Sequence, residues 1–231
     1  MYSDIVFVVV IVNAVLVVQK IRLTVDRQSF YLFNIFVSFT YSSRGVPVEI
    51  NKQTGLLSDV AYHCSPNQDS RPDKEDVSGI VVHNISLPPG EFGGGWIDDF
   101  FLNQLDPTAH PYFKSIAGMK VSCHLLIRRD GEIIQYVPLN QRAWHAGNSH
   151  WGERERCNDF TIGIELEGCD EQYFEKIQYK SLAELVLLLC THYPQLNTGR
   201  VKGHSQIAPG RKTDPGPYFD WEKLHSLLQD G

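Results

Sequence analysis

Apolar and polar positions alternate along this chain with periods that change from block to block. Ser78–Ile85, SGIVVHNI, is a β-branched run after a polar, Pro-containing loop. It reads as a buried strand with His83 near its C-terminal end. Trp96–Leu105 places apolar residues at 97, 100, 101 and 105, a helical spacing that Pro107 and Pro111 stop. Val121–Pro138 carries two apolar runs around Asp130-Gly131, a β-hairpin signal. In Phe160–Gly168, Ile162, Ile164 and Leu166 face one way and Gly163, Glu165 and Glu167 the other. From Gln178 to Tyr193 the apolar residues form one helical face, ended by Pro194. A short strand then leads to His204, and Asp220 caps a terminal helix. This order predicts an α/β fold, a mixed central sheet with flanking helices. Ligand sites in such sheets lie at strand ends and the loops that follow.

The first 46 residues follow another pattern. Ile5–Val18 is an apolar run of fourteen residues, and a second run spans Phe30–Phe39. A membrane-spanning helix needs about 20 residues. A signal peptide carries positive charge before its apolar run, whereas here Asp4 precedes it and Lys20 and Arg22 follow. An anchor, an export signal and a segment outside the working protein all stay open, and the flanks favour the third. The expected organisation is an apolar extension over 1–46 and one catalytic domain over 47–231. The thiols and the charge flanks point to a cytoplasmic protein.

Charge and cysteines narrow the function classes. The net charge is −6, and residues 1–46 contribute +2, so the body is near −8. So acidic a body does not suit nucleic acid, whose binding rests on neutralising phosphates. Five cysteines with no C-x-x-C pair argue against a disulfide framework or a thiolate zinc site. Reduced, mostly buried thiols are expected.

The chemistry gathers in Gly203–Pro217, GHSQIAPGRKTDPGP, a loop stiffened by Pro209, Pro215 and Pro217. His83, His204 and Asp214 together make a donor set suited to catalytic Zn2+, with a fourth position left for water. Two imidazoles disfavour Mg2+ and Ca2+, which take oxygen shells. On spacing alone the set is weak, because His83 lies 121 residues before His204. Lys212 would stabilise developing negative charge beside such a centre. Either Glu165 or Glu167 would serve as general base, and the alternation does not choose between them.

The blocks VVHNISLPPGEFGG, DPTAHPYF, LIRRDGEIIQYVP, RAWHAG, RERCNDFTIGIELEG and GHSQIAPGRKTDPGP resemble, in unbroken order, the zinc N-acetylmuramoyl-L-alanine amidases, relatives of the peptidoglycan-recognition proteins. The likeness is close to members acting on 1,6-anhydro-muropeptides, and it covers about Val48 to Leu224. It implies His83, His204 and Asp214 as zinc ligands, Glu165 as catalytic acid/base and Lys212 as stabiliser of the intermediate. It also implies substrate contacts from Asn84, Trp144 and Arg156, with the arginine fork suited to a peptide carboxylate. Glu167, His124 and His145 then read as supporting groups around the site or in the core. The expected partner is an anhydro-N-acetylmuramyl peptide, bound by a monomer without nucleic acid or membrane. Two other readings are an exported or anchored amidase acting on polymeric wall, and a wall-binding module that does not cut. The GGGW stretch departs from relatives by a glycine where proline is common, which implies a looser loop.

Overall fold

The computed structural model describes residues 5–12, 15–22 and 48–229. Residues 5–22 belong to one compact unit and 48–229 to another. In the first, Ile5–Val12 and Val15–Arg22 pair as an antiparallel hairpin, with Val12 opposite Val15. The apolar run is therefore strand, not helix, as its Val and Ile content favours. The Phe30–Phe39 run lies outside the described residues. No helix among the described residues is long and apolar enough to cross a membrane.

The second unit is built on six strands. They are β1 (Ala61–Tyr62), β2 (Gly79–Ile85), β3 (Leu125–Ile127), β4 (Ile133–Gln135), β5 (Thr161–Glu167) and β6 (Val201–Gly203), in the spatial order β6-β2-β5-β3-β4-β1. Strands β6, β2, β5 and β3 run parallel, and β4 turns antiparallel to β3. This is the mixed sheet the pattern predicts, with the Asp130-Gly131 hairpin joining β3 to β4.

Helices cover the sheet. On one face Ile80, Val82, Ile162, Ile164 and Leu166 pack with α2 (Lys176–His192) and α3 (Trp221–Gln229), through Leu182, Val186, Leu224 and others. On the other, Leu126 and Ile134 meet Ile97, Phe100 and Phe101 of α1 (Trp96–Phe101). Val81 joins Ala146, Phe160 and Ile207 beside them. Strand β5 is therefore buried on both faces, although its alternation suggested one. A central parallel strand is covered from both sides. Asp220 caps α3 as expected, its Oδ1 accepting the Lys223 N–H at 2.9 Å.

Two expectations need correction. Helix α1 ends at Phe101, not Leu105, because Asn103 turns left-handed at φ 60° and its amide pairs with Asn67. Leu105 is buried all the same, so the apolar spacing marked the core beyond the helix end. Only Cys123 and Cys157 are buried; Cys169 and Cys190 are half-buried and Cys64 is exposed, all five being free thiols.

Candidate active site

The site is a row across three neighbouring strands at their C-terminal ends. Glu165 of β5 pairs in register with His83 of β2. Gly203, the last residue of β6, pairs with Val82, so His204 follows beside His83. The loop after His204 folds back and brings Asp214 to both rings, its carbonyl accepting the Ser205 N–H at 2.9 Å. Gly203 permits that return, since a Cβ there would lie 2.7 Å from Pro215 Cδ.

Three donor atoms meet here. His83 Nδ1 and His204 Nδ1 are 2.9 Å apart, and each is 3.0 Å from Asp214 Oδ2. Both imidazoles are 2% exposed. His204 Nε2–H donates to the Ala146 carbonyl at 3.1 Å, which leaves a lone pair on Nδ1 aimed at the cluster. Two imidazole nitrogens and a carboxylate oxygen at this spacing fit a divalent ion, because tetrahedral zinc holds such donors roughly 3.3 Å apart. His83, His204 and Asp214 are the one such group among the described residues.

Protonation states agree with the geometry. Burial pushes His83 down to about 4, so its ring is neutral near pH 7. Burial alone would lift the Asp214 carboxyl, but the His204 and His83 rings bonded to it hold it well below the usual carboxylate range. Neutral imidazole and ionised carboxylate are the forms that bind metal.

The structure separates the two glutamates that the strand pattern left equal. Glu167 is spent on structure. Its Oε1 accepts from Gly93 N–H at 2.6 Å and Arg128 at 3.3 Å, and its Oε2 accepts from Arg129 N–H at 3.1 Å. Glu165 has a buried Oε2 without a hydrogen-bond partner and lines the cavity. Burial, then the charge of Asp214, push its carboxyl well above the ordinary value, and Lys212 opposes them. A carboxyl shifted upward in this way holds a proton more tightly than an ordinary carboxylate, a property suited to acid–base work.

The cavity, about 410 Å³, is lined by His83, Asn84, Glu165, His204, Lys212 and Asp214 among others. The Asn84 Nδ2 donates to Asp170 Oδ1 at 2.7 Å and to the Pro215 carbonyl at 3.0 Å, fastening the Asp214 loop. Trp144 and Arg156 do not line this cavity. Arg156 is exposed and its Nε pairs with Asp159 at 3.2 Å. His145 is part of the cavity wall, its Nδ1 3.0 Å from His83 Nε2, and the buried His124 ring meets His145 edge-on.

Sequence reasoning missed Tyr112, Asp170 and Arg211 in the wall. Arg211 Nη2 donates to the Ala146 and Asn148 carbonyls at 2.6 and 2.7 Å, tying the 146–148 loop to the Asp214 loop. Its place beside Lys212 in the Pro/Gly-rich loop was the available signal. Tyr112 and Asp170 carried none beyond nearness to the matching blocks.

Residues 73–217 match the N-acetylmuramoyl-L-alanine amidase family. The chain belongs to that family. The relatives of this amidase include the 1,6-anhydro-N-acetylmuramyl-L-alanine amidase AmpD of Citrobacter freundii, 56% identical over 174 residues, 75% of this chain and 92% of the relative. AmpD of Haemophilus influenzae is 54% identical over 177 residues, 77% of this chain and 96% of the relative. A crystal structure of a selenomethionine AmpD derivative superposes with a TM-score of 0.74 at 55% identity, over 78% of this chain and 98% of that one. The amidase fold predicted from the blocks is thus the fold observed.

Proposed function

We propose that this amidase uses zinc to hydrolyse the amide between the lactyl group of 1,6-anhydro-N-acetylmuramic acid and L-alanine, on soluble muropeptides released in cell-wall turnover. The observation that carries the reading is the convergence of His83 Nδ1, His204 Nδ1 and Asp214 Oδ2 within 2.9–3.0 Å, one strand from an unpaired Glu165. The substrate class is supported by the AmpD relatives. It is supported too by the Escherichia coli amidase AmiD in complex with anhydro-N-acetylmuramic acid-L-Ala-D-gamma-Glu-L-Lys. That chain superposes with a TM-score of 0.50 at 27% identity, over 78% of this chain and 65% of its own.

His83, His204 and Asp214 would hold the ion, which when bound supplies Lewis-acid polarisation and a water of lowered pKa. Glu165 takes the proton of the attacking water and returns it to the alanine nitrogen as the amide breaks. Its burial keeps the carboxyl basic enough to accept that proton. Lys212 lines the cavity, and its ammonium would stabilise the negative charge that develops on the carbonyl oxygen. Asn84, through Asp170 and Pro215, keeps the Asp214 loop in place during the cycle. The reading makes the protein a cytoplasmic monomer, a setting in which five free thiols stay reduced.

The test is zinc content together with turnover of an anhydromuramyl tripeptide, read by mass spectrometry. Stoichiometric zinc, loss of turnover on chelation and recovery on adding zinc support the reading. Undiminished hydrolysis by metal-free protein overturns it. Faster cleavage of intact sacculi than of soluble fragments would overturn the substrate assignment.

A further inference from the structure

The zinc reading requires the His83 Nδ1 lone pair to face Asp214, and nothing in the cluster itself enforces this. A neutral His83 with its proton on Nδ1 would simply hydrogen-bond the carboxylate 3.0 Å away. The tautomer is decided on the far side of the ring. His83 Nε2 lies 3.0 Å from His145 Nδ1. His145 Nε2 lies 3.4 Å from Thr161 Oγ1, whose own proton goes to the Cys157 carbonyl at 2.6 Å. A carbonyl only accepts, so the chain of donors has one direction. Thr161 donates to Cys157 and offers a lone pair to His145 Nε2–H. His145 Nδ1 then accepts from His83 Nε2–H. The Nδ1 of His83 is left free for a metal.

The backbone around His145 is arranged for this contact. Asn158 Oδ1 accepts both the His145 N–H at 3.1 Å and the Ala146 N–H at 2.7 Å. The imidazole lies flat enough on β5 that a Cβ on Gly163 would stand 2.6 Å from His145 Nδ1. Gly163 is therefore the hole into which the ring fits.

We infer that His145 is a positioning residue, which sets the tautomer and aim of His83 for the metal through the relay Cys157–Thr161–His145–His83. It supplies none of the three clustered donor atoms. The inference rests on the zinc reading above, and its test separates the two. Zinc affinity is measured by competition with a fluorescent chelator for the wild-type chain and for Asp214→Ala, His145→Asn, His145→Gln and Thr161→Val. Wild-type protein that fails to bind zinc defeats the zinc reading itself.

Given wild-type binding, the Asn and Gln variants decide the inference. The Asn Oδ1 falls where His145 Nδ1 stands and still accepts from His83, whereas the Gln Oε1 falls at the position of Nε2. His145→Asn is expected to keep affinity within a few-fold, and His145→Gln to lose about 10- to 100-fold, the range for removing such a partner. Equal affinity in the two variants, both folded by circular dichroism, overturns the inference. If His145→Gln does not fold, Thr161→Val decides: a several-fold loss supports the relay and wild-type affinity overturns it.

Discussion

Glu165 stands opposite His83 in the register of two parallel strands, so backbone hydrogen bonds, not a loop, hold the carboxylate beside the imidazole. Adjacent strands lie about 4.8 Å apart. That spacing sets a carboxylate beside the proposed ligands without a flexible linker, the placement the proposed base role requires.

Glu165 and Glu167 share a strand face and separate by substitution. Glu165→Gln is expected to leave fold and zinc content intact and to lower kcat about 10²- to 10⁴-fold. Glu167→Gln is expected to cost about 2–3 kcal/mol of stability, because charge-assisted bonds to Arg128 and two backbone N–H groups are weakened. Paired thermal melts and turnover measurements check this. Exchanged phenotypes would reverse the assignment.

Gly203→Ala should unseat the Asp214 loop. The new methyl meets Pro215 Cδ at 2.7 Å and Trp221 at 3.2 Å. The fold should survive, while zinc affinity drops at least tenfold. An affinity equal to wild type would show that the loop yields without moving Asp214.

Metal should stabilise the folded chain, because its three donors come from segments up to 131 residues apart. At a thousandfold excess of zinc over its Kd the gain is about 4 kcal/mol. Thermal scans with and without chelator should show a large shift for wild type. Asp214→Asn should show little. A zinc-independent melting temperature in wild type contradicts this.

Stability should fall in mild acid through His124. Burial, then Arg71, hold its pKa well below 6.5. Its Nδ1 accepts the Gly163 N–H and its Nε2–H donates to the Gln141 carbonyl, both at 3.0 Å, while Arg71 Nη2 lies 2.9 Å away. The sign follows from linkage. Above about pH 6.5 both states are neutral at this residue and stability is unaffected. Below it the unfolded chain binds a proton that the folded chain refuses, so stability drops as pH falls toward the folded pKa. The slope is about 1.4 kcal/mol per pH unit for one proton. His124→Gln should flatten the profile by that amount. An unchanged profile excludes His124 as a source of acid lability.

Removing residues 1–46 should leave folding and turnover unchanged, since the core from Val48 onward closes on the sheet and its helices. Cutting past Val48, itself 3% exposed, should cost about 1–3 kcal/mol. Denaturant titration of the two truncations distinguishes them. A large loss on removing 1–46 alone would make the extension part of the fold.

Much of this was legible beforehand because it is local. The strand at His83, the Asp130-Gly131 hairpin, the Glu165 strand and the α2 and α3 helices each follow from periodicity and turn residues. The α1 boundary was misread because Asn103 pairs with Asn67, a partner 36 residues away. The tie between Glu165 and Glu167 could not be broken by alternation, since both side chains leave the same face. The family likeness chose Glu165, and the contacts of Gly93, Arg128 and Arg129 with Glu167 supply the physical difference between the two. His145 gave no sign of its contact with His83, which depends on the gap at Gly163.

By itself the sequence determined the α/β class, the family likeness and the residue types able to bind a divalent ion. Those properties reside in short-range patterns and in side-chain chemistry. The tertiary structure alone decided which atoms meet. Strand register set His83 beside Glu165, the return of the loop brought Asp214 to both rings, and hydrogen bonds behind the rings fixed the nitrogen that faces inward. Each depends on backbone pairing between segments far apart in the chain, and such pairing is set by the packed core as a whole.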